Sequence, residues 1–68
     1  SHFALDRIIL GNNVTVGAHA IIMSGVTVGD GAIVSAGAVV KKGTQIAPGE
    51  HWAGVPARKI ETATSGGK

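Results

Sequence analysis

The chain has 68 residues, with 11 Gly, no Cys, 44% apolar residues, 15% charged residues and a net charge of +2. A chain this short is one small domain at most and buries a smaller share of its surface than a larger one; without Cys it has no disulfide, no thiol nucleophile and no thiolate metal ligand. High apolar content with low charge argues against disorder, the lack of a dense basic cluster or stacking aromatics argues against nucleic acid, and no apolar run reaches transmembrane length and no signal peptide is visible.

The expectation is a soluble protein with no nucleic-acid or membrane partner, and the missing Cys fits a reducing cytoplasm. In chain order, residues 1–9 form a lead-in segment. A regular repeat occupies 10–57, and 58–68 hold C-terminal cap residues and a polar, Gly-rich tail with no structure to assign.

The repeat has a period of six. Leu10, Val16, Ile22, Val28, Val34, Val40, Ile46 and Trp52 are in phase. Four residues after each stand Val14, Ala20, Val26, Ala32, Ala38, Thr44, Glu50 and Pro56, of which the first six are small or β-branched. Gly11, Gly17 and Gly29 directly follow a phase aliphatic, whereas Gly25, Gly31, Gly37, Gly43 and Gly49 lie three after one, a phase shared by Asn13. Recurring Gly marks a recurring tight corner, and Asn also tolerates the left-handed region. Each hexad therefore reads as one short strand plus one corner. Three hexads make a triangular coil, and coils stack at the usual strand spacing of roughly 4.8 Å in parallel ladders. The phase aliphatics and small residues fill the narrow interior. A helix would need apolar spacing near 3.6 and would suffer from the Gly content.

With three hexads per coil, three corner columns follow. The first is 11–13, 29–31 and 47–49; the second is 17–19, 35–37 and 53–55; the third is 23–25 and 41–43. The second is built mostly of small residues. Ile21 and Val39 fall where side chains point outward, next to Met23, and an outward apolar strip on a small prism suggests an interface. At the C-terminal end a stack of coils needs a cap. Trp52 is expected to close the core, with "AGVPARKI" folding across or beside the last coil.

The run "LGNNVTVGAHAIIMSGVTVGDGAIVSAGAVVKKG" followed by "AGVPARKI" resembles the C-terminal coils of hexapeptide-repeat acyltransferases and looks like sugar O-acetyltransferases of the galactoside and maltose type. Antibiotic acetyltransferases on the same fold are similar too. "HWAGVPAR" is similar to the acyltransferase-like region of some large adenylation-domain proteins. The resemblance covers about three quarters of the chain. It implies an all-β fold, a left-handed parallel β-helix of about three coils with a C-terminal cap. It also implies a homotrimer in which acetyl-coenzyme A, or another acyl-coenzyme A, lies between adjacent prisms as co-substrate. The acceptor would be a small-molecule hydroxyl or amine, bound mostly by segments upstream of this stretch. A fragment, a processed chain, or a partner chain carrying the missing N-terminal half all fit that layout.

Carried over residue by residue, the resemblance places the pantetheine arm along Gly17, Ala18 and Ala36. Basic residues at Lys42 and Arg58 would line the nucleotide end, with Lys41 beside them, since coenzyme A carries a pyrophosphate and a 3′-phosphate and Arg and Lys suit phosphate contact. Small corners and solvated cations serve the same residues equally well as purely structural features. Of the three His, His2 has the layout of the family's general base, ahead of a short loop into an "LG" start. Ser1-His2 also fits a tag remnant. His19, at a corner, and His51, near the cap and beyond the regular coils, are expected to be bland. Their spacing does not match the metal-binding His of γ-class carbonic anhydrases on the same fold, so no metal is expected. The rival to an acyltransferase is a non-catalytic β-helical trimerisation module of a larger protein.

Overall fold

The computed structural model describes residues 7–60. Seven two-residue strands come first: β1 (Ile9–Leu10), β2 (Thr15–Val16), β3 (Ile21–Ile22), β4 (Thr27–Val28), β5 (Ile33–Val34), β6 (Val39–Val40) and β7 (Gln45–Ile46). They are followed by β8 (His51–Ala53) and β9 (Arg58–Lys59). Consecutive strands never pair until the last two. Instead β1-β4-β7, β2-β5-β8 and β3-β6 form three parallel ladders, with Ile9 beside Thr27, Thr15 beside Ile33 and Ile21 beside Val39. The partner of each strand is three hexads away, as the period predicts. The chain is a parallel β-helix whose three faces are the three ladders.

The corners obey the same register. Gly31 N donates to Asn12 O at 2.8 Å, Gly37 N to Ala18 O at 2.9 Å and Gly43 N to Ser24 O at 3.0 Å. Each therefore sits above its counterpart in the expected column. Most corners close with a bond between residues three apart, such as Ala38 N to Ser35 O at 3.2 Å. The third corner residue is left-handed: φ is 58° at Asn13, 61° at His19 and 71° to 77° at Gly25, Gly31, Gly37, Gly43 and Gly49. Positive φ at this turn position favours Gly or Asn, so His19 occupies the least comfortable corner of the series.

The second Gly phase serves a different purpose. Gly11, Gly17 and Gly29 face the next coil, and a Cβ on Gly17 would run into the Ala36 backbone, 2.7 Å from its Cα. These are close-approach positions, whereas Gly31, Gly37, Gly43 and Gly49 have open space around a would-be side chain. One Gly phase shapes the corner, and the other lets the coils touch.

Inside, Val26, Val28, Ala32, Val34, Ala38, Val40 and Ile46 are at most 2% exposed. They are the two inward positions of successive hexads, a valine-alanine interior too narrow for aromatic rings. The first coil departs from the expectation. Leu10 and Val16 are in the inward phase yet are 51% and 40% exposed, because among the described residues no layer stacks on their outer side. The other end is closed. Trp52 packs on the core and Ala57 is buried. β9 folds back antiparallel on β8, with Trp52 opposite Lys59 and Ala53 opposite Arg58. "AGVPARKI" thus covers the last coil beside Trp52.

The regular pattern ends at the corner after β8. Up to Ser35, each strand N–H bonds a carbonyl seventeen residues on, as in Ser35 N to Trp52 O at 2.9 Å; Val39 N instead meets Gly54 O at 3.0 Å. Positive φ moves from the expected residue 55 to Gly54, at 99°. Replacing Gly17 by Ala should force the first two coils apart at one corner. The expected loss is about 1–3 kcal/mol, read by thermal or chemical denaturation, while Gly37→Asn, at an open left-handed corner, should lose less.

Candidate functional site

The candidate residues fall into two groups. Gly17, Ala18 and Ala36 stack in the second corner column. Gly17 lies against the Ala36 backbone, and Ala18 O accepts from Gly37 N. Ala18 and Ala36 are exposed and Gly17 is half-buried. The column therefore offers a smooth backbone edge on the outside of the prism.

The second group lies at the C-terminal end. β6 runs from Val39 into Lys41, and Val39 is held on both sides of its peptide by the cap, through Gly54 O and through Ala57 N to Val39 O at 2.8 Å. That pairing draws the third corner towards the segment after Pro56. An open cleft of about 300 Å³ results, lined by Lys41, Thr44, Trp52, Pro56, Ala57, Arg58 and Lys59. Lys41 and Arg58 are thus brought together. Lys42, next along the corner, is exposed and is not part of the cleft wall. His2 lies outside the described residues.

One carboxylate outside the cleft lining braces two of its walls, Trp52 and Lys59. Glu50 Oε1 accepts the indole N–H of Trp52 at 3.0 Å and the backbone N–H of Ala47 at 2.9 Å, and its other oxygen is 3.4 Å from Lys59 Nζ. The Trp52 and Ala47 hydrogen bonds, with Lys59 behind them, hold the Glu50 carboxyl below its usual range. Glu50 stands where the repeat would place a small inward residue. The break in that phase was the signal for its role, because a carboxylate at an inward position needs donors, and the cap supplies them.

His51 is not beyond the regular coils, contrary to the expectation from its place near the cap. It opens β8, beside Ile33 in the second ladder. Its Nε2 is 2.7 Å from Ser35 Oγ. His19 occupies a corner as expected. The described residues hold no group of three His, Cys, Asp or Glu side chains able to bind a metal, and no helix long and apolar enough to cross a membrane. Sequence reasoning missed Trp52 and Lys59 as cleft walls, since Trp52 was assigned wholly to the core.

Residues 7–42 match the bacterial transferase hexapeptide family of six repeats. Among solved structures the chain is similar to a galactoside acetyltransferase in complex with coenzyme A, at 46% identity and a TM-score of 0.73 over 79% of this chain and 26% of that one. It is similar to a maltose O-acetyltransferase from Clostridium difficile 630, at 36% identity and a TM-score of 0.73 over 85% of this chain and 30% of that one. It is also similar to an N-acyltransferase from Bacillus cereus in complex with dTDP and 3-hydroxybutyryl-CoA, at 38% identity and a TM-score of 0.72 over 81% and 28%. The chain therefore spans between 26% and 30% of the length of these three structures. No curated protein matches it.

The Glu50 carboxyl gives a pH signature. Its folded pKa lies below the unfolded value, so its contribution is fully present above the usual Glu range, near about 4.3, and is lost as pH falls through the lower folded value. Glu50→Gln should therefore be less stable than the parent at pH 7, with the difference shrinking as acid is added. Equal stability of the two proteins at pH 7 in denaturant titrations would remove the carboxylate from the cap.

Proposed function

The chain belongs to the bacterial transferase hexapeptide family, a left-handed parallel β-helix of hexapeptide repeats, and from that premise we propose that it is the donor-binding C-terminal part of an acyl-coenzyme A-dependent acyltransferase. The single observation that carries this reading is a small-residue corner column on the same prism as a cleft bearing Lys41 and Arg58. A pantetheine arm needs a narrow, smooth track with backbone groups to bond. A nucleotide with several phosphates needs cations at one end of that track, and Arg offers a paired donor geometry for phosphate. Gly17, Ala18 and Ala36 supply the track; Lys41, Lys42 and Arg58 supply the cations. The coenzyme A bound in the galactoside acetyltransferase neighbour supports the same assignment.

The reaction would be direct attack of an acceptor hydroxyl or amine on the thioester carbonyl, with a base taking the proton and N–H groups stabilising the oxyanion. His2 is proposed as that base, a neutral imidazole on the lead-in segment. A small-molecule acceptor would be held mainly by residues outside this stretch. The working assembly is proposed to be a homotrimer in the cytoplasm. Ile21 and Met23, 55% and 45% exposed, stand beside the half-buried Val39 on the third face and would be covered in it.

Calorimetry with coenzyme A tests the donor reading. The parent should bind, and Arg58→Ala should weaken binding by about 10- to 100-fold, the worth of one hydrogen bond to a charged group. No binding by the full-length parent would leave the trimerisation module as the better account. His2→Ala in the full-length protein should slow transfer by about 10²–10⁴-fold with donor affinity nearly unchanged; retained activity would remove His2 from the chemistry. In light scattering, the trimer should dissociate on Ile21→Glu, and a stable folded monomer of the parent would contradict the assembly.

A further inference from the structure

We propose that the C-terminal cleft is a nucleobase pocket, in which the indole of Trp52 stacks on the purine of the donor nucleotide and the Thr44 hydroxyl meets the edge of the base. The identity of the nucleotide rests on the proposed function; the pocket itself rests on the cleft walls.

The indole is larger than the layer it closes. Val28, Val34, Val40 and Ile46 occupy the same inward phase and are at most 2% exposed. Trp52 packs on that core, stays only half-buried and also lines the cleft. An aliphatic side chain would close the last layer as its predecessors close theirs. The ring covers the core and still offers aromatic surface to the cleft.

That surface is held in one orientation. Trp52 Nε1–H donates to Glu50 Oε1 at 3.0 Å, and the same carboxylate is fixed by the Ala47 N–H at 2.9 Å and by Lys59 Nζ at 3.4 Å. The backbone is fixed as well: Trp52 O accepts from Ser35 N at 2.9 Å, and Lys59 stands opposite Trp52 in the β8–β9 pair. A side chain ordered before the ligand arrives loses little rotamer freedom on binding.

The other walls suit a nucleotide better than a bare anion. Lys41, Arg58 and Lys59 line the cleft, and among the described residues no carboxylate does. Cations alone would answer a phosphate, whereas a base has a π-face that gains from an aromatic wall. Thr44 is half-buried with its backbone committed, N to Lys41 O at 3.1 Å and O to Thr27 N at 3.0 Å. Its hydroxyl makes no hydrogen bond among the described residues. A hydroxyl both donates and accepts, which matches the ring nitrogens and amino group of a purine. The cleft volume of about 300 Å³ lies at the lower end of ligand pockets. It has room for a base, with the phosphates at the mouth beside the exposed Lys41 and Arg58.

The test is fluorescence titration of the full-length protein with three probes. Coenzyme A carries base, phosphates and arm; adenosine 3′,5′-bisphosphate carries base and phosphates; pantetheine is the arm alone. Trp52 is the only Trp of these 68 residues, and Tyr is absent. The first two probes should quench the indole and pantetheine should not. Trp52→Phe keeps a ring, so coenzyme A should bind close to the parent in calorimetry while that quenching disappears. Trp52→Leu should weaken both nucleotides by about 5- to 100-fold, and Thr44→Val by about 2- to 10-fold. Loss of the Glu50 tether alone would affect the Phe and Leu variants alike, and that result overturns stacking. If Trp52→Leu loses the fold by circular dichroism, the quenching difference between parent and Trp52→Phe decides. Unchanged affinity in Thr44→Val strikes the hydroxyl from the pocket. Coenzyme A that binds without quenching Trp52, or equally well to Trp52→Leu, overturns the pocket and leaves the donor reading standing. If the bisphosphate quenches Trp52 and coenzyme A does not bind, the pocket stands and the donor reading fails. If no nucleotide binds, both fall.

Discussion

Everything in this molecule depends on the vertical hydrogen bond between one coil and the next. A strand of two residues has almost no stability of its own, and no strand pairs with its sequence neighbour before the cap. Each gains its partner only because the chain returns to the same face after three hexads. A bond such as Thr15 N to Ala32 O at 3.0 Å therefore requires three corners to turn correctly in between. The left-handed third corner residue and the close-approach glycine are the local conditions for that return. Where the last coil stops obeying them, at Gly54, the chain leaves the prism and becomes the cap.

The same constraint sets what the outside can do. Because corners repeat in columns, a small residue at one level lies over a small residue at the next, and a track along the prism arises without any dedicated loop. Because the fully buried interior is Val, Ala and Ile, polar chemistry lies at corners, at outward strand positions and at the capped C-terminal end, where Glu50 takes an inward phase. Lys41, Arg58, Lys59, Glu50, Ser35 and His51 all stand in those places. The cap joins the two: by pairing Ala57 with Val39 it brings Arg58 beside the third corner.

Most of the prism was legible in the sequence, since a period of six with two glycine phases is read directly from residue identities. The columns, the left-handed corners and the closing role of Trp52 follow from it. What was not legible lies where the repeat breaks. The phase put Glu50 and Pro56 inside, but Glu50 serves as a polar clamp on Trp52, and residues past Gly54 follow cap geometry. His51 looked peripheral because its strand belongs to the last coil, and only the ladder pairing reveals Ser35 across from it. Leu10 and Val16 obey the inward phase and are still exposed, because burial depends on the layer above and the phase of a residue does not contain that layer. The two glycine phases could be told apart in sequence but not assigned, since open space and backbone contact look alike in a residue string.

A crystal structure with coenzyme A bound would test the central claim most directly. The account predicts a pantetheine arm running along Ala18 and Ala36 and phosphates within hydrogen-bonding distance of Lys41, Lys42 or Arg58. Coenzyme A bound on another face, with the second corner column bare and the cations of the C-terminal cleft untouched, would contradict it.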